Sequence, residues 1–246
     1  MSAWLLIDTA TPTAVVGIWR EGRVLAEERL SETRKHAEGI IDALDRVLLI
    51  AGVGIDELAG VGVGRGPGSF IGVRTGIATA KGICLGRGIP LVGLPTLVAL
   101  AASVELPAGR GLAVVDAKRG ELYAQLVEVD GAQARVERAV SSSSSSAAPS
   151  AERVRAVEPA APLSPADVTK RAAALAFVVG SAPDGAVTHP RFIALPAPTV
   201  AGLGRMLAAR IAAGVIDETD ALAPDYCRAP DAKLPAVDPS ARRPPS

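Results

Sequence analysis

Apolar positions come in short runs, then at helical spacing, then in short runs again. Trp4 to Ile7 is an apolar strand that ends at Asp8-Thr9-Ala10-Thr11. Ala14 to Trp19 gives a second strand, Glu21-Gly22 the turn, and Arg23 to Leu30 a third. Ser31 or Thr33 caps the next helix, where Ile40, Leu44, Val47, Leu48 and Ala51 share one face and Gly52 fits as C-cap. Leu58 to Gly64 is the next strand, and after a glycine-rich turn an apolar segment of helical length runs to Arg87. Gly88 to Gly93 reads as a buried strand and Thr96 to Ser103 as a short helix.

Near Leu112 the pattern restarts. Leu112 to Asp116 is an apolar strand ending in aspartate, and Glu121 to Val129 alternates as a strand does. Leu5-Leu6-Ile7-Asp8 lines up with Ala113-Val114-Val115-Asp116, which suggests an internal duplication. The expected plan is therefore an N-terminal lobe over 1–106 and a C-terminal lobe over 107–229. Ser141 to Ser146 opens an Ala/Pro/Ser-rich stretch over 141–166, read as a flexible surface insertion with at most a short helix near Ala151 to Val157. Leu175 to Gly180 and Arg191 to Leu195 are strands and Thr199 to Ala213 is a helix. The Pro-rich stretch over 230–246 reads as a disordered tail.

The helix after Gly64 is odd. Gly72, Gly76 and Gly82 lie inside it, and each costs roughly 0.5–1 kcal/mol against alanine. Gly72, Gly76 and Ala80 recur every four residues and form one smooth stripe, with Arg74 and Lys81 on a face nearly opposite. Either the stripe packs the helix onto its own sheet, or it admits a helix of another subunit. The preceding turn invites a phosphate-loop reading, but no lysine stands in the required register and the dinucleotide glycine spacing does not fit either. Backbone amides from Gly66 to Ser69 remain a candidate anion cradle at the helix start.

Composition narrows the classes. The 246 residues are 49% hydrophobic and 21% charged, enough for a sizeable core. Only 3% are aromatic, so that core is built from Ala, Val, Leu and Ile. With 26 basic against 26 acidic residues, nothing suggests nucleic-acid binding by charge alone. Cys84 and Cys227 are far apart and outside metal-type spacing, which reads as two reduced thiols. No basic region followed by an apolar signal segment opens the sequence, and the uncharged run from Gly88 to Val104 is broken by Pro90 and Pro95. A soluble, cytoplasmic protein is expected.

Two lobes that each open with a β-meander and an aspartate after its first strand match the plan of the α/β actin and sugar-kinase (ASKHA) superfamily, whose lobes are ribonuclease H-like. In that superfamily's ATP-using members the two aspartates act on Mg and phosphates. Asp8, Thr9, Gly66, Gly68, Ser69 and Asp116 are therefore candidate nucleotide-binding residues here. The competing reading of Asp8 and Asp116 is strand-end turn residues that bond nearby amides.

More specific motifs are IDTAT at Ile7 to Thr11, a lone His36, GRGPGSF at Gly64 to Phe70, Gly72-Val73-Arg74, Ala80-Lys81-Gly82, IPLVG at Ile89 to Gly93, and DAKRGELYAQ at Asp116 to Gln125. With Pro224-Asp225-Tyr226-Cys227-Arg228 near the end, the sequence resembles the TsaB (YeaZ) family. That resemblance implies a subunit of the bacterial machinery that makes threonylcarbamoyladenosine at position 37 of tRNAs reading ANN codons. It implies a degenerate second lobe and no catalytic residues. The family's catalytic paralogue, TsaD, holds a metal through His-x-x-x-His, and those positions fall here on Thr96 and Leu100, which cannot replace imidazoles. Where superfamily ATPases have a Gly-rich turn, this chain has Asp116-Ala117-Lys118-Arg119-Gly120, and Gly180-Ser181-Ala182 is a thin echo of the adenosine-binding glycines.

The implied partners are a TsaD-like catalytic subunit and a TsaE-like ATPase. tRNA is reached only through the complex, a homodimer forms when the chain is alone, and no membrane is involved. Pairing is implied through the two helices at about His36 to Ala51 and Gly72 to Leu85, so His36, Ile40, Gly72, Arg74, Gly76, Ala80 and Lys81 are the expected interface. No cofactor or metal is expected. The alternative is an active ATP-dependent phosphotransferase or ATPase built on Asp8 and Asp116. A metal-dependent endopeptidase fails on the missing histidines.

Overall fold

The structure, a computed structural model, describes residues 3–31, 36–130 and 154–227, with 36–38 described as backbone only. Thr33, the Ser141 to Ser146 run, Arg228 and the 230–246 stretch lie outside the described residues. β1 (Ala3–Asp8), β2 (Ala14–Arg20) and β3 (Arg23–Leu30) form the expected meander, followed by α1 (His36–Ala51), β4 (Leu58–Gly64), α2 (Phe70–Arg87), β5 (Leu91–Leu94) and α3 (Thr96–Ala101). These strands make one sheet in the order β3-β2-β1-β4-β5. β1 runs antiparallel to β2 and parallel to β4.

The second half repeats that order. β6 (Gly109–Lys118) pairs antiparallel with β7 (Glu121–Val129) and parallel with β10 (Phe177–Gly180), as β1 does with β2 and β4. With β8 (Val154–Ala156) and β11 (Phe192–Ala194) the sheet reads β11-β10-β6-β7-β8, and β9 (Ala161–Leu163) also pairs with β7. α4 (Pro165–Ala172) stands where α1 does, and α5 (Val200–Ala212) where α3 does. Residues 181–191, between β10 and β11, hold no counterpart of α2. The chain has two ribonuclease H-like halves, the second reduced.

Alternation along the strands explains the layers. Leu5 and Ile7 of β1 face α1 and α2, with Val47, Val73 and Ile77 in one core. Leu6, between them, faces the other way, against Val200, Leu203 and Leu207 of α5. In the second sheet Ala113 and Val115 face Leu97, Leu100 and Ala101 of α3, while Leu112 and Val114 face Val168 and Ala172 of α4. Each half thus lends its last helix to the other half's sheet. α3 and α5 meet between them, and Gly202 permits it, since a methyl group there would overlap Ser103 and the Ala99 carbonyl.

One expectation is corrected. Within 151–157 the described residues 154–156 are strand, and 154–166 holds strands and the start of a helix rather than a flexible insertion. Val154, Arg155 and Ala156 pair with Val129, Glu128 and Val127, while Ala161 to Leu163 pair with Leu122 to Ala124. The cause is β7's outer edge, a row of unpaired backbone groups that these short segments cover. Arg155 also ion-pairs with Glu128. α4 has its own start signal: the Ser164 hydroxyl accepts from the Asp167 amide at 3.1 Å, and Pro165 takes the first helical position.

Candidate functional site

Asp8, Thr9, Gly66, Gly68 and Ser69 come together where β1 ends, the 65–69 turn passes and α2 begins. Asp8 is fully buried. One carboxylate oxygen accepts from the Ala10 amide at 2.9 Å and the other from the Thr96 hydroxyl at 2.8 Å. That hydroxyl in turn accepts from the Gly66 amide at 3.1 Å, and the Thr96 amide donates to the Gly66 carbonyl at 2.9 Å. Gly64 lies so close that a methyl group there would overlap the Asp8 carboxylate. Burial raises the Asp8 carboxyl from its ordinary 3.8 to about 6, against the two hydrogen bonds, which lower it. Asp8 is a sealed hydrogen-bond hub, with Thr96 as its lid.

Two amides of the anion cradle are taken up inside the chain. The Gly66 amide serves Thr96, and the Ser69 amide donates to the Ala10 carbonyl at 2.7 Å. The Ser69 hydroxyl caps α2 by accepting from the Gly72 amide at 3.2 Å. Gly68 is small because a side chain would overlap the Ala10 carbonyl.

Asp116 stands apart, on the second sheet. One of its oxygens accepts from the Lys118 amide at 2.7 Å and the other pairs with the Lys118 ammonium at 2.8 Å. Beyond it Arg119 and Gly120 both have positive φ, as a two-residue hairpin turn of this hand requires. Gly180 serves its own sheet, where a methyl group would overlap the Val114 carbonyl. Leu100 is buried in the core beside β6. Among the described residues no three His, Cys, Asp or Glu side chains gather as metal ligands. Cys84 and Cys227 are free thiols, both pushed up to about 11 by burial.

Four positions of the expected interface are corrected: Ile40, Gly72, Gly76 and Ala80. Gly72, Gly76 and Ala80 face the chain's own β1 and are buried. The Thr9 hydroxyl donates to the Gly72 carbonyl at 2.6 Å. A methyl group on Gly72 would overlap the Thr9 carbonyl, and one on Gly76 the Thr9 hydroxyl. The stripe exists so that α2 can lie on β1, which leaves it no room for a partner. Ile40 is likewise core. The His36 side chain lies outside the described residues.

Arg74 and Lys81 sit on the flank of α2 and hold the chain's own C-terminal segment. Arg74 Nε donates to the Tyr226 hydroxyl at 2.6 Å, and Lys81 Nζ to the Asp220 carbonyl at 2.9 Å.

The outer face of α2 carries Ile71, Ala78, Gly82 and Leu85 at helical spacing, all exposed. Ile71 is 72% exposed and Leu85 62%. α1 covers the same face of the sheet and shows Ile41, Leu49 and Ile50, with Leu49 at 82%. Large apolar side chains this exposed, on two helices that cover one sheet face, make these helices the candidate interaction surface. Gly82 is the telling position: a methyl group there meets nothing within 4 Å among the described residues. No helix among the described residues is long and apolar enough to cross a membrane.

Gly76→Ala is expected to lower stability by about 1–3 kcal/mol in urea unfolding, because the added methyl lands on Thr9; an unchanged midpoint contradicts the packing described. For Asp8, a carboxyl of raised pKa favours the folded state when protonated. Its contribution is present below the ordinary 3.8 and is lost as pH rises through about 6. The melting temperature of Asp8→Asn relative to the unaltered chain should therefore rise between pH 4 and pH 7. A constant difference across that window contradicts the burial of the charge.

The family model described as TsaD, tRNA N6-adenosine threonylcarbamoyltransferase, matches residues 23–236. The chain is 39% identical over 121 residues to the tRNA threonylcarbamoyladenosine biosynthesis protein TsaB of Escherichia coli, covering 48% of this chain and 52% of that protein. To the protein of the same name from Bacillus subtilis it is 31% identical over 124 residues, covering 50% and 54%. In these matches the chain spans about half the length of its curated relatives. Among solved structures, YeaZ from Pseudomonas aeruginosa superposes with a TM-score of 0.72 at 23% identity, covering 92% of this chain and 100% of that one. A family model matched over most of the sequence, with TsaB relatives inside it and the YeaZ fold around it, shows that the chain belongs to the TsaB (YeaZ) family of TsaD-like proteins.

Proposed function

We propose that the chain acts in the synthesis of threonylcarbamoyladenosine on tRNA as a non-catalytic subunit that binds a TsaD-like catalytic subunit and holds it in its active form. The observation that carries this reading is the outer face of α1 and α2. Gly82 weakens its own helix by up to ~1 kcal/mol relative to alanine, and among the described residues no group lies within 4 Å of the space it leaves. A glycine with no close neighbour among the described residues, set between Ile71 and Leu85 along the helix, suits the close approach of another helix. A TsaD-like subunit carries the same fold, so two related helix pairs meet across a pseudo-twofold. Without it, the face pairs with a second copy of this chain.

The sealed Asp8, and Thr96 where the paralogue's metal histidine falls, support a role without turnover of its own. A TsaE-like ATPase joins the assembly, and tRNA is handled through the complex. No nucleotide or metal is needed by this subunit itself.

The test is co-expression with the TsaD homologue of the same genome, then size-exclusion chromatography and assay of tRNA modification. The pair should co-elute and modify tRNA, while the chain alone, given threonylcarbamoyl adenylate and tRNA, should not. Gly82→Leu should keep or raise the melting temperature yet abolish co-elution. A Gly82→Leu chain that still pairs places the partner elsewhere, and turnover by the isolated chain overturns the non-catalytic role.

A further inference from the structure

After α5 the chain does not leave the molecule but turns back along the first half. The Asp217 amide donates to the Leu91 carbonyl at 3.0 Å, and its carboxylate accepts from the Gly93 amide at 2.8 Å. Leu222 is buried in the core under α1 and α2. The Asp225 amide donates to the Arg65 carbonyl at 2.7 Å, and its carboxylate pairs with the Arg65 guanidinium at 2.7 Å. At the end of this strap the Tyr226 ring stacks on Phe70, with centroids 5.3 Å apart. The Arg74 guanidinium lies 3.9 Å over the same Phe70 ring and gives its Nε to the Tyr226 hydroxyl.

The first part of the strap is tied into the sheet and core, which accounts for its presence as structure. The last part is different. Phe70 and Tyr226 remain 43% and 42% exposed, so the cluster buries little that would stabilise the fold. Arg74 is exposed, and its two terminal nitrogens have no hydrogen-bond partner among the described residues. Held flat by a ring on one side and a hydroxyl at Nε, a guanidinium has both terminal donors ready for one carboxylate. Ile71, next to Phe70 in the chain, begins the outer stripe of α2, so the cluster adjoins the proposed partner face. Rigid aromatic side chains and arginine are also the residue types that dominate interface energetics.

We propose that the strap's end is a second wall of the docking surface: Tyr226 and Phe70 fix the Arg74 guanidinium so that its terminal nitrogens take a carboxylate of the catalytic subunit. The inference rests on the pairing proposed above, and it assigns Tyr226 as a positioning residue for that contact. The Coulombic part of the contact should make binding salt-dependent. The Lys alternative at position 74 keeps the charge but cannot offer two coplanar donors.

The test measures affinity of the full chain for the TsaD homologue by calorimetry at low and high salt, together with melting temperatures of the free chains. Tyr226→Ala and Arg74→Lys should each weaken binding about tenfold, and Arg74→Lys, which keeps the charge, should retain the salt dependence. Their melting temperatures should stay within about 2 °C of the unaltered chain, since half-exposed contacts contribute little. Tyr226→Phe, which keeps the stack, should stay within about threefold. Unchanged affinity in Tyr226→Ala or Arg74→Lys, with the unaltered chain binding normally, overturns the strap's role and leaves the pairing intact. Weakened binding that tracks a fall in melting temperature makes the cluster a structural latch and also overturns it. No binding by the unaltered chain overturns the pairing itself.

Discussion

The contact on which the structure depends lies between Thr9 and the inner side of α2. Thr9 sits just past β1, and its hydroxyl donates to the Gly72 carbonyl while its carbonyl and hydroxyl press where side chains of Gly72 and Gly76 would stand. That approach is closer than any alanine permits. It sets the height of α2 over the sheet, and that height governs the surroundings of the helix. The 65–69 turn folds against Ala10, Thr96 closes over Asp8, and the other side of α2 is left facing solvent with Ile71, Gly82 and Leu85. Gly72 and Gly76 serve the inside of the helix, while Gly82 and Gly86 lie on its exposed side.

The duplicated plan explains why this surface occurs once. Both halves carry the same strand order, and each covers one sheet face with the other half's last helix. Only the first half has a long helix between its last two strands. The second half replaces it with loop and uses its short segments to cover the β7 edge. The two aspartates at the matching strand ends hold different places. Asp8 is a buried hydrogen-bond hub, and Asp116 is a turn residue bonded to Lys118.

Much of the fold is legible in the sequence, and the misreadings have physical causes. The meander, the repeat of Ile7-Asp8 in Val115-Asp116 and the helix from Thr199 all come from period and capping signals. The side of α2 that faces inward does not. This helix is apolar or small nearly all round, so periodicity cannot say which side meets the sheet. The spacing of Gly72, Gly76 and Ala80 shows that something comes close, not that it is the chain's own Thr9. Exposed Leu49 and Ile50 fall off the Ile40-Leu44-Val47 stripe, a surplus of apolar positions that is readable as an unpaired surface. Strands of three residues within an Ala/Pro-rich stretch are too short for alternation to reveal. The cap at Ser164 is a plain signal, but local composition masks it.

The central claim is that the inner stripe of α2 is core and its outer face meets the partner. Hydroxyl-radical footprinting of the chain, free and mixed with the TsaD homologue, reads individual side chains and tests it most directly. The account predicts strong protection of Ile41, Leu49, Ile71 and Leu85 on mixing. It predicts no change at Ile211 and Ile216, which are also exposed but lie beyond that face. Protection at Ile211 and Ile216, with α1 and α2 unchanged, would contradict it.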